Sequence, residues 1–146
     1  MDDITLRPVS ELDIDAITAI DEKITGKYKP EEWENRIAYY LRRDPETSLV
    51  ALKGDGVVGF MLGEVRSGEF GLEEPAGWIE ALGVDPACQG KAIGGKLLEG
   101  MLENFRARGA TAVRTLVNEQ SQAELLRFFE KSKFAATPIR TLEYAF

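Results

Sequence analysis

The chain has 146 residues, 44% of them hydrophobic and 29% charged, and a formal net charge of −7. That composition suits one soluble globular domain over residues 1–146, and its anionic excess excludes a nucleic-acid backbone as the main partner. It has no histidine and one cysteine, Cys88, which excludes histidine-based triads, histidine or thiolate metal sites and any intrachain disulfide.

Chemistry is therefore left to carboxylates, hydroxyls, lysines and the backbone, with no metal expected. No apolar run approaches the ~18 residues needed to span a bilayer. The start, Met1-Asp2-Asp3, is acidic where a secretory signal is basic. A cytoplasmic protein with no membrane partner is expected.

In chain order, residues 4–9 read as a short strand. Ser10 then supplies a hydroxyl that can cap a helix start, and Ala16, Ile17, Ile20 and Ile24 fall on one helical face until Gly26 interrupts it. Pro30 suits a first helical turn, and Trp33, Ile37, Tyr40 and Leu41 make a second stripe that ends at Asp44-Pro45. Residues 48–53 and 57–65 are apolar runs around Gly54-Asp55-Gly56, a hairpin signal. A Gly- and Glu-rich loop, residues 67–77, leads to a buried strand over 78–84.

Ile93, Leu97, Leu98, Met101, Leu102 and Phe105 form the clearest amphipathic helix, with Gly109 as its stop. Residues 111–117 read as a strand, and Ala123, Leu126 and Phe129 lie on a short helix. Over residues 140–146, Leu142, Tyr144 and Phe146 alternate as in a final strand. The order β-α-α-β-β-β-α-β-α-β predicts an α/β (α+β) fold, a mixed sheet with helices on both faces.

The segment from Glu80 to Lys96 concentrates the chemistry. A strand ends at Val84, Asp85-Pro86 turns the chain, and a loop of small residues opens into the long helix. Gly90, Gly94 and Gly95 let backbone N–H groups face outward, adding to the free donors and positive dipole end of that helix. Lys91 and Lys96 add local positive charge. The dinucleotide pattern G-x-G-x-x-G is absent in this register. A P-loop pattern, Gly90 followed by Gly95-Lys96, fails at Leu97, where a magnesium-binding Ser or Thr is required. A tight strand-to-helix turn that binds nothing is the alternative.

The run Gln89-Gly90-Lys91-Ala92-Ile93-Gly94 after Val84-Asp85-Pro86 resembles the Gln/Arg-x-x-Gly-x-Gly/Ala signature of the GNAT superfamily of acyl-CoA-dependent N-acetyltransferases. Ala92 stands at the first signature glycine. The stretch Leu126-Arg-Phe-Phe-Glu-Lys-Ser-Lys-Phe134 is similar to that family's Leu-Tyr-Glu-Lys-x-Gly-Phe segment, and the element order is that of the family. The resemblance implies a mostly antiparallel central sheet and transfer of an acetyl group from acetyl-CoA to a primary amine by direct attack in a ternary complex.

It further implies that backbone donors of Gln89, Gly90, Lys91, Ala92, Ile93, Gly94 and Gly95 hold the CoA pyrophosphate, with Lys96 beside them in the cofactor site. Leu82, Gly83 and Val84 would pair through the main chain with the pantetheine arm, and a strand N–H would polarise the thioester carbonyl. Gln122 stands where the family has an asparagine touching CoA. Glu80 is the candidate base, expected on one strand face with Leu82 and Val84 among apolar neighbours; the alternative is a strand-end carboxylate that reaches solvent or pairs with a basic side chain.

At the family's acid tyrosine this chain has Phe129, expected in the core or against the pantetheine. Protonation of the thiolate is left to water, to Tyr144, or to unassisted departure. Cys88, with no histidine beside it, is expected to be inert. The acceptor is expected near residues 25–29 and 67–77, and a homodimer is left open. A non-catalytic acyl-CoA-binding module of the same fold is the competing function.

Overall fold

A computed structural model describes residues 3–90 and 92–146. Its strands are β1 (Ile4–Pro8), β2 (Leu49–Lys53), β3 (Gly56–Arg66), β4 (Ala76–Val84) and β5 (Ala112–Thr115). Its helices are α1 (Ile14–Thr25), α2 (Pro30–Arg43), α3 (Ile93–Ala107) and α4 (Ala123–Lys131). The strands form one sheet in the order β1-β2-β3-β4-β5, antiparallel throughout except for the parallel β4–β5 pair.

The helical periodicities decide which face each helix covers. Ile17 and Ile20 of α1 and Trp33, Ile37 and Tyr40 of α2 pack on Val50, Phe60 and Leu62 at one side of the sheet. Ile93, Leu97, Leu98, Met101 and Phe105 of α3, with Phe129 of α4, pack on Ala51, Met61 and Ile79 at the other. The N-terminal signals act as their chemistry requires. Ser10 accepts from the Leu12 amide while Asp13 returns a bond to the Ser10 amide, a reciprocal cap just ahead of α1. Gly26 closes α1 in the left-handed conformation at φ +78°.

The final strand expected over residues 140–146 does not form. Leu142, Tyr144 and Phe146 are 93%, 82% and 116% exposed, and no described strand lies beside them. Alternation predicts a strand only where a neighbouring edge takes up its backbone groups and one face. Nothing in the tail itself supplies that neighbour.

Two departures from regular pairing shape the middle of the sheet. Leu62 faces Ala81 and Gly63 faces Ile79, so Glu80 is an extra, bulged residue of β4. The close approach needs Gly63: a Cβ there would stand 2.2 Å from the Trp78 carbonyl oxygen. Secondly, β5 pairs with β4 only along Ala76–Ile79. From the bulge onward, the edge of β4 away from β3 has no strand beside it among the described residues.

Candidate functional site

Two neighbouring features define the site: the unpaired half of β4 and the loop between β4 and α3. Asp85 anchors that loop. Its carboxylate accepts from the Ala87 amide at 3.0 Å and takes Lys23 of α1 at 3.0 Å, its amide donates to Val58, and its pKa is lowered by these two partners in that order. Cys88 is buried behind the turn and packs in the core on the α3 side.

Gly90 (φ +85°) and Ala92 (φ +60°) are both left-handed, which turns the chain abruptly into α3. Ala92 thus pays a steric cost that glycine escapes, at the residue where the family signature carries glycine. The first intrahelical bond runs from Lys96 N–H to Ala92 O, and no side chain caps the helix. The amides of Ile93, Gly94 and Gly95 therefore precede the hydrogen-bonded ladder. Gln89, Gly90, Ala92, Gly95 and Lys96 are exposed, and open space surrounds the Cβ position of Gly95. Such an arrangement can hold a phosphate by backbone donors and helix dipole. Lys91 lies outside the described residues.

Phe128 rather than Phe129 approaches the loop. Its ring comes within 3.4 Å of a Cβ built on Gly94, whereas Phe129 is 1% exposed and clamped between Phe128 and Phe134 at ring-centroid distances of 5.1 and 4.9 Å. Gln122 sits at the start of α4. Its side-chain oxygen accepts from the Asn118 amide at 2.9 Å, closing the turn between β5 and α4. Tyr144 is on the exposed tail with its ring against Phe146.

Glu80 differs from expectation in its surroundings. The bulge breaks the alternation, so Leu82 and Val84 pack on the α3 side while Glu80 meets residues of the α2 side. Its carboxylate accepts from Arg66 at 2.7 Å, its side chain is 28% exposed, and its main-chain oxygen accepts from Arg36 at 3.4 Å. It is a part-buried carboxylate paired with a guanidinium. The buried Tyr40 hydroxyl lies against it; burial, then the Glu80 charge and hydrogen bond, push the Tyr40 pKa well above its usual value.

Glu64, which the sequence reading passed over, lies next to this pair. It is 3% exposed. One oxygen collects Tyr39 Oη at 2.9 Å and the Nε atoms of Arg43 and Arg66 at 3.3 Å each. The other, Oε2, is buried with no hydrogen-bond partner among the described residues. A carboxylate inside the apolar run 57–65 was the available signal, since burying one demands partners. Arg66 thus bridges Glu64 and Glu80, and its ring contact with Trp78 (5.8 Å) steadies it.

The regions expected to meet an acceptor are braced as well. Asp21 takes Trp33 Nε1 at 2.9 Å and Lys29 at 3.5 Å, which ties the α1–α2 link together. In the 67–77 loop Glu69 pairs with Arg66 at 3.7 Å, while Glu73 and Glu74 are exposed. Among the described residues no group of three His, Cys, Asp or Glu side chains is placed to hold a metal ion.

A turn that opens a helix with its first amides outside the helical ladder, beside a strand whose second half β5 does not pair with, marks an acetyltransferase-type α/β domain. The chain belongs to the acetyltransferase (GNAT) family, whose profile matches residues 14–134. Over 78 residues it is 37% identical to a mycothiol acetyltransferase of Streptosporangium roseum; the match covers 53% of this chain and 23% of that protein. Ard1 from Thermoplasma volcanium superposes with a TM-score of 0.77 at 25% identity, over 92% of this chain and 84% of that one. The fold is also that of the aminoglycoside N-acetyltransferase AAC(6')-Iy in complex with CoA, with a TM-score of 0.84 at 13% identity over 99% and 95% of the two chains.

Proposed function

We propose that this chain transfers an acetyl group from acetyl-CoA to a primary amine of a small molecule or protein, by direct attack in a ternary complex. The observation that carries this is the set of amides at the start of α3 that precede its hydrogen-bonded ladder, adjoining the stretch of β4 that β5 does not pair with. The pyrophosphate of acetyl-CoA binds at Gln89, Gly90, Ala92, Ile93, Gly94, Gly95 and Lys96. Lys91 belongs to the same segment. The pantetheine amides pair with the main chain of Leu82, Gly83 and Val84, as an added strand does. Phe128 flanks its path.

The acceptor approaches from the side of α2, where Glu80 stands. Arg66 anchors one oxygen of that carboxylate, and the carboxylate takes the proton of the attacking ammonium, directly or through a water. The neutral nitrogen then attacks the thioester carbon. A C–N bond forms, the carbonyl oxygen becomes an oxyanion held by a β4 amide, the nitrogen gives its second proton to water, and the C–S bond breaks as the carbonyl reforms. Thiols have pKa values near ~8.5, so the CoA thiolate leaves without a dedicated acid and takes its proton from solvent.

A non-catalytic acyl-CoA-binding module is favoured by two observations: Phe129 is core at the family's acid position, and Tyr144 is in solvent. Free-thiol release from acetyl-CoA, followed over a panel of primary amines, separates the two. Amine-dependent thiol release is the expected result. Binding of CoA, seen as a thermal shift, with no amine acetylated leaves the binding module standing.

A further inference from the structure

Glu64 carries the sharpest unmet demand among the described residues. Its carboxylate is 3% exposed in β3, and Oε1 gathers the Tyr39 hydroxyl and the guanidiniums of Arg43 and Arg66, while Oε2 has no hydrogen-bond partner. A buried acceptor left without a donor costs free energy, so its presence calls for a reason.

The guanidinium of Arg66 is shared. Its Nη2 donates to Glu80 at 2.7 Å and its Nε to Glu64 at 3.3 Å, so one cation is divided between two carboxylates on neighbouring strands, with the shorter contact at Glu80. A third carboxylate, Glu69, stands 3.7 Å from Arg66 with its side chain 43% exposed. From α2 the Tyr40 hydroxyl, in a residue 6% exposed, donates to the Glu80 carboxylate, and Arg36 donates to the Glu80 main-chain oxygen. On β5, Arg114 stands over the Trp78 ring at 6.0 Å. Glu80 is thus held by one donor that a second acid competes for, and by another that is its own.

We propose that Glu64 and Tyr40 are positioning residues of opposite sign for Glu80: Glu64 keeps Arg66 partnered when Glu80 takes up a proton, and the Tyr40 hydroxyl favours Glu80 as the carboxylate. As the acceptor ammonium gives its proton to Glu80, that carboxylate becomes neutral and its hold on Arg66 weakens. The guanidinium keeps its charge and closes on Glu64, where Oε2 supplies the second acceptor of a bidentate pair. When Glu80 passes the proton to solvent, Arg66 is drawn back. Without the Glu64 charge, a neutral Glu80 leaves Arg66 with the exposed Glu69 alone, so Glu80 holds a proton less readily. Without the Tyr40 donor it holds one more readily. The effect on catalysis rests on Glu80 as the base of the proposed transfer; the effect on its titration does not.

The test follows the Glu80 carboxyl carbon by NMR across pH in the full chain, in Glu64→Gln and in Tyr40→Phe, with the signal assigned by its loss in Glu80→Gln. The midpoint should move to lower pH in Glu64→Gln and to higher pH in Tyr40→Phe. Acetylation at neutral pH should fall roughly tenfold in Glu64→Gln, short of the ~10²–10⁴-fold loss in Glu80→Gln. Midpoints that stay in place, or that move the same way in both variants as loosened packing alone would move them, overturn the proposal. Should Glu64→Gln fail to fold, Tyr40→Phe decides: a midpoint unmoved or lowered there overturns it. Undiminished acetylation by Glu80→Gln instead removes Glu80 as the base, and is told apart because the two midpoints still diverge.

Discussion

Glu80 and Arg66 form an ion pair at the position where the proposed function places its base. Arg66 reaches Glu80 at 2.7 Å and Glu64 at 3.3 Å, so the proposed base is held in one orientation rather than left to sample solvent. Glu80→Gln keeps an oxygen for Arg66 but accepts no proton. The turnover of acetyl-CoA should fall ~10²–10⁴-fold in the variant with the Km for acetyl-CoA little changed. A rate-against-pH profile identical to that of the unaltered protein would remove Glu80 from its role. Asp44 supplies a purely structural case at the same scale. Arg108, by a hydrogen bond and its charge, together with the Glu46 amide, outweighs partial burial and brings the Asp44 pKa down to about 2 from 3.8. A carboxylate lowered on folding stabilises the protein above its unfolded pKa, and that stabilisation drains away as pH falls from about 4 to about 2. With both partners about a third exposed, it amounts to about 1 kcal/mol after screening. Denaturant titrations of Asp44→Asn should show that loss at pH 7 and convergence with the unaltered protein near pH 2.

Among the elements, the start of α3 matters most to the proposed function. An amide cradle needs its donors unspent, and α3 begins without a side-chain cap. Gly95 gives a clean probe because a Cβ there meets nothing within 4 Å. Gly95→Asp puts an anion in the first turn, which favours the helix by ~0.3–1 kcal/mol yet repels a pyrophosphate. Calorimetry should find CoA binding weakened tenfold or more while the melting temperature holds or rises. Equal affinity in the variant would place the anion elsewhere. The bulge at Glu80 acts at this scale too. It reverses the side to which Glu80 points relative to Leu82 and Val84, which a strict two-residue period predicts to be one face. The sequence does carry a trace of it, in Gly63, whose missing side chain admits the Trp78 carbonyl.

In the molecule as a whole, one sheet separates two apolar layers, and α3 is the spine of one of them. Phe105 is fully buried and packs over Gly77 of β4, where a Cβ would come within 2.4 Å of its ring. Phe105→Ala should cost ~3–5 kcal/mol in urea unfolding. At the same end of α3, Asn104 and Arg108 hold the loop after α2 through Thr47 O at 2.9 Å and Asp44. Helix faces, turn glycines, the tight turn into α3 and the family were all legible in the sequence, because each rests on local periodicity or on a contiguous motif. Glu64 was not, nor the partners of Glu80, nor the separate fates of Phe128 and Phe129, because these depend on which residues distant in the chain come to face one another. The tail is the sharpest instance. Its alternation declares strand character by itself, but a strand exists only against an edge, and the tertiary structure decides whether the chain's own surface provides one.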